Sequence, residues 1–205
     1  MTTLHPSSPF SYAAAETILL ILDYHTLFVE ASGAHKAAEI TVQLKQWAKK
    51  HNIVVAHAIL DNVKDAAPTT KGLERITQIL TTLRDDPAKY EEPAGIRPGT
   101  GSGELVFTRD PGLVSALTSM RPFDLVQWLK QEGYRSLILC GLSTSGCTLR
   151  TTISATDLGF VVSVISDACH DRDEEVHRVI TEKILPTRAH VFTLDDFRRG
   201  WESSH

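Results

Sequence analysis

The chain has 205 residues and a formal net charge of -4, and its 42% hydrophobic and 22% charged content is ordinary for a soluble globular protein large enough to bury a sizeable core. An acidic balance with no cluster of Lys and Arg argues against nucleic acid as a partner, and no apolar stretch approaches the length of a membrane span. Met1–Phe10 has neither the positive n-region nor the apolar h-region of a signal peptide, and the three cysteines match neither a disulfide framework nor a zinc pattern, so a reducing, cytoplasmic setting is expected.

Residues 1–16, rich in Ser, Pro and Ala, read as a loose N-terminal arm that packs on a neighbour, ahead of a single domain over residues 17–205. Thr17–Leu22 is a continuous aliphatic run ending on Asp23, the pattern of a central parallel strand covered on both faces. From Ala34 to His51 apolar residues recur at helical spacing, and Asn52–Leu60 is a second strand. Leu73, Ile76, Leu80 and Leu83 mark another helical face. The Pro- and Gly-rich stretch 84–103 reads as a long loop expected to cover a pocket.

Glu104–Arg109 forms a third strand, and a helix is expected over Pro122–Gly133, with the proline in its first turn and the glycine at its C-cap. Tyr134–Cys140 is a fourth strand running into Gly141, and a short loop of small hydroxyl residues leads to a helix that opens at Cys147 and ends at Gly159. Phe160–Ile165 is a fifth strand stopping at Ser166. A helix carrying Val176, Val179, Ile180 and Ile184, a sixth strand His190–Leu194 and a tail helix from Asp195 complete the chain. Strands alternating with helices imply right-handed crossovers, hence an α/β fold: a three-layer αβα sandwich around a six-stranded parallel, Rossmann-like sheet.

In such sheets ligands bind outside the carboxyl ends of the strands. Asp23, Arg109 and the Gly141–Cys147 loop all fall at such ends. A thiol opening a helix gains from unpaired N–H groups and the helix dipole, which favour the thiolate. Cys147 is therefore the candidate nucleophile. It needs a base and donors for an oxyanion: Asp23 is one candidate base, His25 a competing one, and the backbone around Ser143, Thr144 and Gly146 the candidate oxyanion cradle. Arg109 is expected to hold carboxylate and thiolate in register. Cys140 and Cys169 read as structural, and His177 as a local partner of Asp173 or Glu174. Asp61 has no histidine two or three residues beyond it, so no metal site is expected, and no cofactor.

The run Leu-Ile-Leu-Asp23-Tyr-His-Thr-Leu-Phe28, the loop Leu-Cys-Gly141-Leu-Ser-Thr144-Ser-Gly-Cys147, and the later segments ending in Asp167-Ala168 and Glu175-Val-His177 together resemble the isochorismatase-like cysteine hydrolases over most of Thr17–Phe197. The resemblance implies a six-stranded parallel sheet, an Asp-Lys-Cys triad, a cis peptide joining Leu142 to Ser143, a Phe28 beside the substrate, and dimers or tetramers. It implies hydrolysis of a C–N bond in a small amide or carbamoyl-type substrate through a covalent intermediate on Cys147, with Asp23 as base. Two positions depart from the pattern. The family's lysine falls on Arg109, no lysine lying between Lys89 and Lys130, and His25 replaces the usual glutamine. Arginine keeps the charge but does not readily exchange a proton. Two further readings follow: cleavage of the vinyl ether of isochorismate with Asp23 as the acid, and a binding or scaffolding member that has lost catalysis.

Overall fold

The computed structural model describes residues 4–205. Its centre is β1 (Thr17–Leu22), buried along its whole length. Every aliphatic side chain from Ile18 to Leu22 is fully buried, and each contributes about 1.5–3 kcal/mol of apolar transfer. The remaining strands are β2 (Val54–Leu60), β3 (Leu105–Arg109), β4 (Ser136–Leu142), β5 (Val161–His170) and β6 (His190–Phe192). They form one six-stranded sheet in the order β3-β2-β1-β4-β5-β6, with every neighbouring pair parallel.

The chain first builds outward from β1 through β2 to β3, then returns to the other side of β1 and builds outward again. Right-handed crossovers running in opposite directions put their helices on opposite faces. On one face α2 (His35–Lys50) packs against α8 (Leu194–Glu202), with Trp47 edge-on to Phe197 and Trp201. On the other lie α5 (Leu125–Gln131) and α6 (Leu149–Asp157), which share the turn Ala116–Thr118. α1 (Thr26–Ser32), α3 (Leu73–Asp85), α4 (Pro87–Tyr90) and α7 (Glu174–Val179) stand around the carboxyl end of the sheet. The direction of building reverses between β1 and β4, and a crevice opens there, outside the strands' carboxyl ends.

Gly141 makes this junction possible. It pairs with Leu22 across β1 and β4, and a Cβ on it would lie 2.5 Å from the Leu22 carbonyl oxygen. The two strands that carry the candidate acid and the nucleophile loop therefore approach as closely as backbone allows.

Several sequence expectations are corrected. The described part of the N-terminal arm is not loose: Tyr12 is buried, and Phe10 packs on Phe192 and Phe197 of its own chain. The stretch 84–103 contains the end of α3 and the short α4, because Asp86 caps Ala88 in front of Pro87. α5 starts only at Leu125, with Asp124 as its N-cap accepting from Gln127; Pro122 precedes it in a cis peptide with Arg121. β5 runs on to His170, five residues past Ile165, since pairing with β4 resumes at Cys169 after a register shift. β6 ends at Phe192 and α8 begins at Leu194, whose N–H is held by Asp167.

Candidate active site

Three strand ends supply the centre of the site. β1 stops at Leu22, and Asp23 takes a left-handed φ of 51°, a conformation that Asp tolerates better than most residues. β3 delivers Arg109 at its last position, level with Leu60 of β2. β4 runs through Leu142 into the cis peptide Leu142–Ser143 and then a single π-type turn, Thr144–Thr148, that merges into α6. Asp23, Arg109 and Cys147 are all buried, yet all three line a cleft of about 1090 Å³.

Arg109 grips Asp23 with both arms. Nη1 donates to Oδ1 at 2.9 Å, and Nη2 pairs with Oδ2. Its remaining Nε–H donates to the Leu113 carbonyl at 3.0 Å, so the guanidinium is fixed in plane by both partners. Burial works against its charge, but Asp23 outweighs burial and raises its pKa further above the usual range. Asp110 and Glu104, the carboxylates beside Arg109 in sequence, are engaged elsewhere: Asp110 with Arg121 and Lys64, Glu104 with Lys45 and Lys49.

Cys147 lies at the fourth residue of the turn rather than at its start, and the expectation of a ready thiolate is corrected. Burial and the nearby Asp23 carboxylate push the thiol up to about 12, although Arg109 pulls the other way. The dipole of a short, kinked turn is outweighed by desolvation. The thiol is hydrogen-bonded at 3.6 Å to Thr151 Oγ1, which also accepts from the Ala116 N–H at 2.9 Å. Cys140 and Cys169 are equally buried in β4 and β5 but do not line the cleft.

The loop before Cys147 is pinned from β5. Asp171 Oδ2 accepts from both the N–H and the hydroxyl of Ser145, at 2.8 and 2.6 Å. Burial opposes ionisation of Asp171, but these bonds prevail and hold its carboxyl below the ordinary value. The Ser145 and Gly146 N–H groups are thereby used inside the loop, Gly146 donating to Ser143. Among the described residues the N–H groups of Ser143 and Thr144 have no backbone acceptor. Thr144 Oγ1 and His177 Nδ1 are hydrogen-bonded at 2.8 Å, which replaces the expected pairing of the His177 ring with Asp173 or Glu174.

The other expected residues divide. Ser143 and Phe28 line the cleft, whereas Thr144, Gly146 and His25 stand behind its surface. His25 does not share a strand face with Asp23, because β1 has ended. It is the residue before α1, and its Nδ1 donates to the Tyr90 carbonyl at 2.5 Å. Burial lowers its pKa, so the ring is a neutral packing element between Phe28 and Tyr90. Residues 84–103, expected over the pocket, contribute nothing to its lining. The walls come instead from α1, α3 and the Gly112–Val114 segment. Sequence reasoning missed Thr151, Asp171 and the α3 wall. Only Asp171, a carboxylate just past a strand's end, carried a local signal.

Among the described residues no three His, Cys, Asp or Glu side chains gather as a metal-binding group, and no helix is long and apolar enough to cross a membrane.

A cysteine, an acid and a cation converge at the reversal of strand order in a parallel sheet, and residues 17–196 match the model of the isochorismatase domain. The chain belongs to the isochorismatase-like hydrolase family. It is similar to an uncharacterized isochorismatase family protein, YecD, of Escherichia coli O157:H7, at 23% identity over 89% of this chain and 95% of that protein. Its fold is similar to that of a cysteine hydrolase from Pseudomonas syringae, with a TM-score of 0.71 and 21% identity over 100% of both chains. It is also similar to that of an N-carbamoylsarcosine amidase from Thermoplasma acidophilum, with a TM-score of 0.62 and 16% identity over 87% of this chain and 96% of that one.

Proposed function

We propose that this hydrolase cleaves a C–N bond of a small amide or carbamoyl-type substrate through a covalent intermediate on Cys147. The observation that carries the reading is that Cys147, Asp23 and Arg109 meet on one cleft wall, with the guanidinium holding the carboxylate beside the thiol. Because the resting thiol is protonated, attack and proton loss are coupled. Asp23 takes the thiol proton through a lone pair that Arg109 leaves free, since each carboxylate oxygen has two. Sγ bonds to the carbonyl carbon, and the oxyanion is received by the N–H of Ser143, the residue of this loop that lines the cleft and has no backbone acceptor. Asp23 passes the proton to the leaving nitrogen as the C–N bond breaks, and water then cleaves the thioester.

Arg109 cannot join this proton relay, so its part is to orient Asp23 and to balance the negative charge that develops beside it. Asp23 is the single proton carrier, which distinguishes this site from one with a lysine at the same place.

The test is alkylation with small electrophilic amides followed by mass spectrometry, together with turnover by two variants. Cys147 is expected to be labelled ahead of Cys140 and Cys169. Cys147→Ala is expected to lower turnover of any responsive amide by on the order of 10³-fold or more. Loss of activity in Asp23→Asn but not in Cys147→Ala would indicate vinyl ether cleavage instead. Equal sluggishness of all three thiols, with no turnover, would indicate a binding member.

A further inference from the structure

The charges lining the cleft run against those of the chain. The protein is net negative at -4, but the cleft has four cationic side chains, Lys71, Arg75, Arg109 and Arg172, and two carboxylates, Asp23 and Asp171. Arg109 and Asp23 cancel as a buried pair. Asp171 is committed to the Ser145 N–H and hydroxyl. The surplus cations stand at the lip: Lys71 and Arg75 at the start of α3, and Arg172 just beyond β5, its guanidinium bonded to the Ala31 carbonyl of α1.

These three make no ion pair with a carboxylate among the described residues. Arg84, further along α3, pairs with Asp65, and Arg121 nearby pairs with Asp61 and Asp110. Glu74, between Lys71 and Arg75 in sequence, is not part of the lining. Unpaired cations around a concave, partly apolar mouth focus a positive potential into it and raise the local concentration of anions. The same cleft is also lined by the apolar side chains of Leu27, Phe28, Ile76 and Ile79, the last two on α3 with Arg75. A cleft of about 1090 Å³ is at the upper end for a small-molecule site.

We infer that the substrate is an anion whose carboxylate sits at the Lys71–Arg75 lip, separated by a short apolar spacer from the carbonyl that Cys147 attacks. This rests on the reading of the cleft as a substrate site, but it concerns recognition and does not require turnover.

The experiment is calorimetry on the Cys147→Ala protein with a graded series of ω-amide carboxylates from malonamate to adipamate, each against its uncharged diamide. At least one carboxylate is expected to bind about tenfold tighter than its diamide at low salt, the size of one charge-assisted hydrogen bond. The preference should shrink with salt. It should vanish in the background of Lys71→Gln with Arg75→Gln, whose side chains are exposed, and survive Arg150→Gln, an exposed cation on α6 outside the cleft. If no member prefers its charged form, or if the preference is indifferent to Lys71 and Arg75, the inference is overturned. Failure of the hydrolase reading would register separately, as unchanged turnover in Cys147→Ala or an unlabelled thiol in the native protein.

Discussion

Two buried charged clusters flank β2, and they use the same residue types to opposite ends. At the carboxyl end, Arg109 and Asp23 form a single pair beside a thiol, and both line the cleft. On the other side, His57 of β2 lies between Glu92 and Glu104, at 2.7 and 3.3 Å, while Lys45 of α2 reaches Glu104 at 2.7 Å and the carbonyls of Ile96 and Arg97 at 2.5 and 2.9 Å. No residue of this second cluster lines the cleft. It ties the stretch 84–103 to the sheet, and through Tyr90 that stretch supports His25 and the start of α1. A charged cluster becomes a site when one face of it is left to a ligand, and a structural staple when all faces are closed.

The sharpest way to break this contrast is to remove one partner from each. Glu104→Leu leaves the buried Lys45 charge with only the Ile96 and Arg97 carbonyls and His57 with Glu92 alone, and is expected to cost about 3–5 kcal/mol of unfolding free energy. Arg109→Leu also strands a carboxylate, but water in the cleft can reach Asp23, so a smaller loss of about 2–3 kcal/mol is expected. Urea unfolding of both variants measures the order. Equal losses would mean that the cleft does not hydrate Asp23.

A smaller effect sharpens the site side. Thr151→Val removes the partner of Cys147 and leaves the buried Ala116 N–H without an acceptor. A loss of about 1–2 kcal/mol is expected in the same assay.

The smallest effect concerns pH. Burial works against a charged His57, but its bonds to Glu104 and Glu92 prevail and raise its pKa above the ordinary 6.5. Its contribution is fully present below 6.5 and is lost as pH rises through the raised folded value. Burial likewise opposes ionisation of Glu104, but His57, Lys45 and Lys49 hold it down at about 2, from an ordinary 4.5. Its contribution is present above 4.5 and is lost as pH falls toward about 2. The cluster therefore stabilises most between those ordinary values. The urea midpoint is expected to decline as pH rises past 6.5 and through the raised His57 value in the native protein, and less so in His57→Gln.

Much of this molecule is legible in one dimension. Thr17–Leu22 is apolar throughout because it is buried on both faces, and β1 has those bounds. The alternation of strands and helices dictates a parallel sheet, and a parallel sheet dictates where a ligand sits, so the convergence of Asp23, Arg109 and the Gly141–Cys147 loop could be expected from the strand ends. Other properties had no local signature. Whether Cys147 is a thiolate depends on the balance between desolvation and two charges brought from distant strands, and burial prevails. His25 looked like a second base until the left-handed turn at Asp23 directed its ring toward Tyr90. The cleft walls came from α3 rather than from the proline-rich loop, because Glu92, Ile96 and Arg97 are bound to His57 and Lys45 on the far side. Periodicity and strand ends are properties of neighbouring residues and can be read along the chain. Burial, pairing of charge and the shape of a cavity are sums over residues far apart in it, and only the folded arrangement decides them.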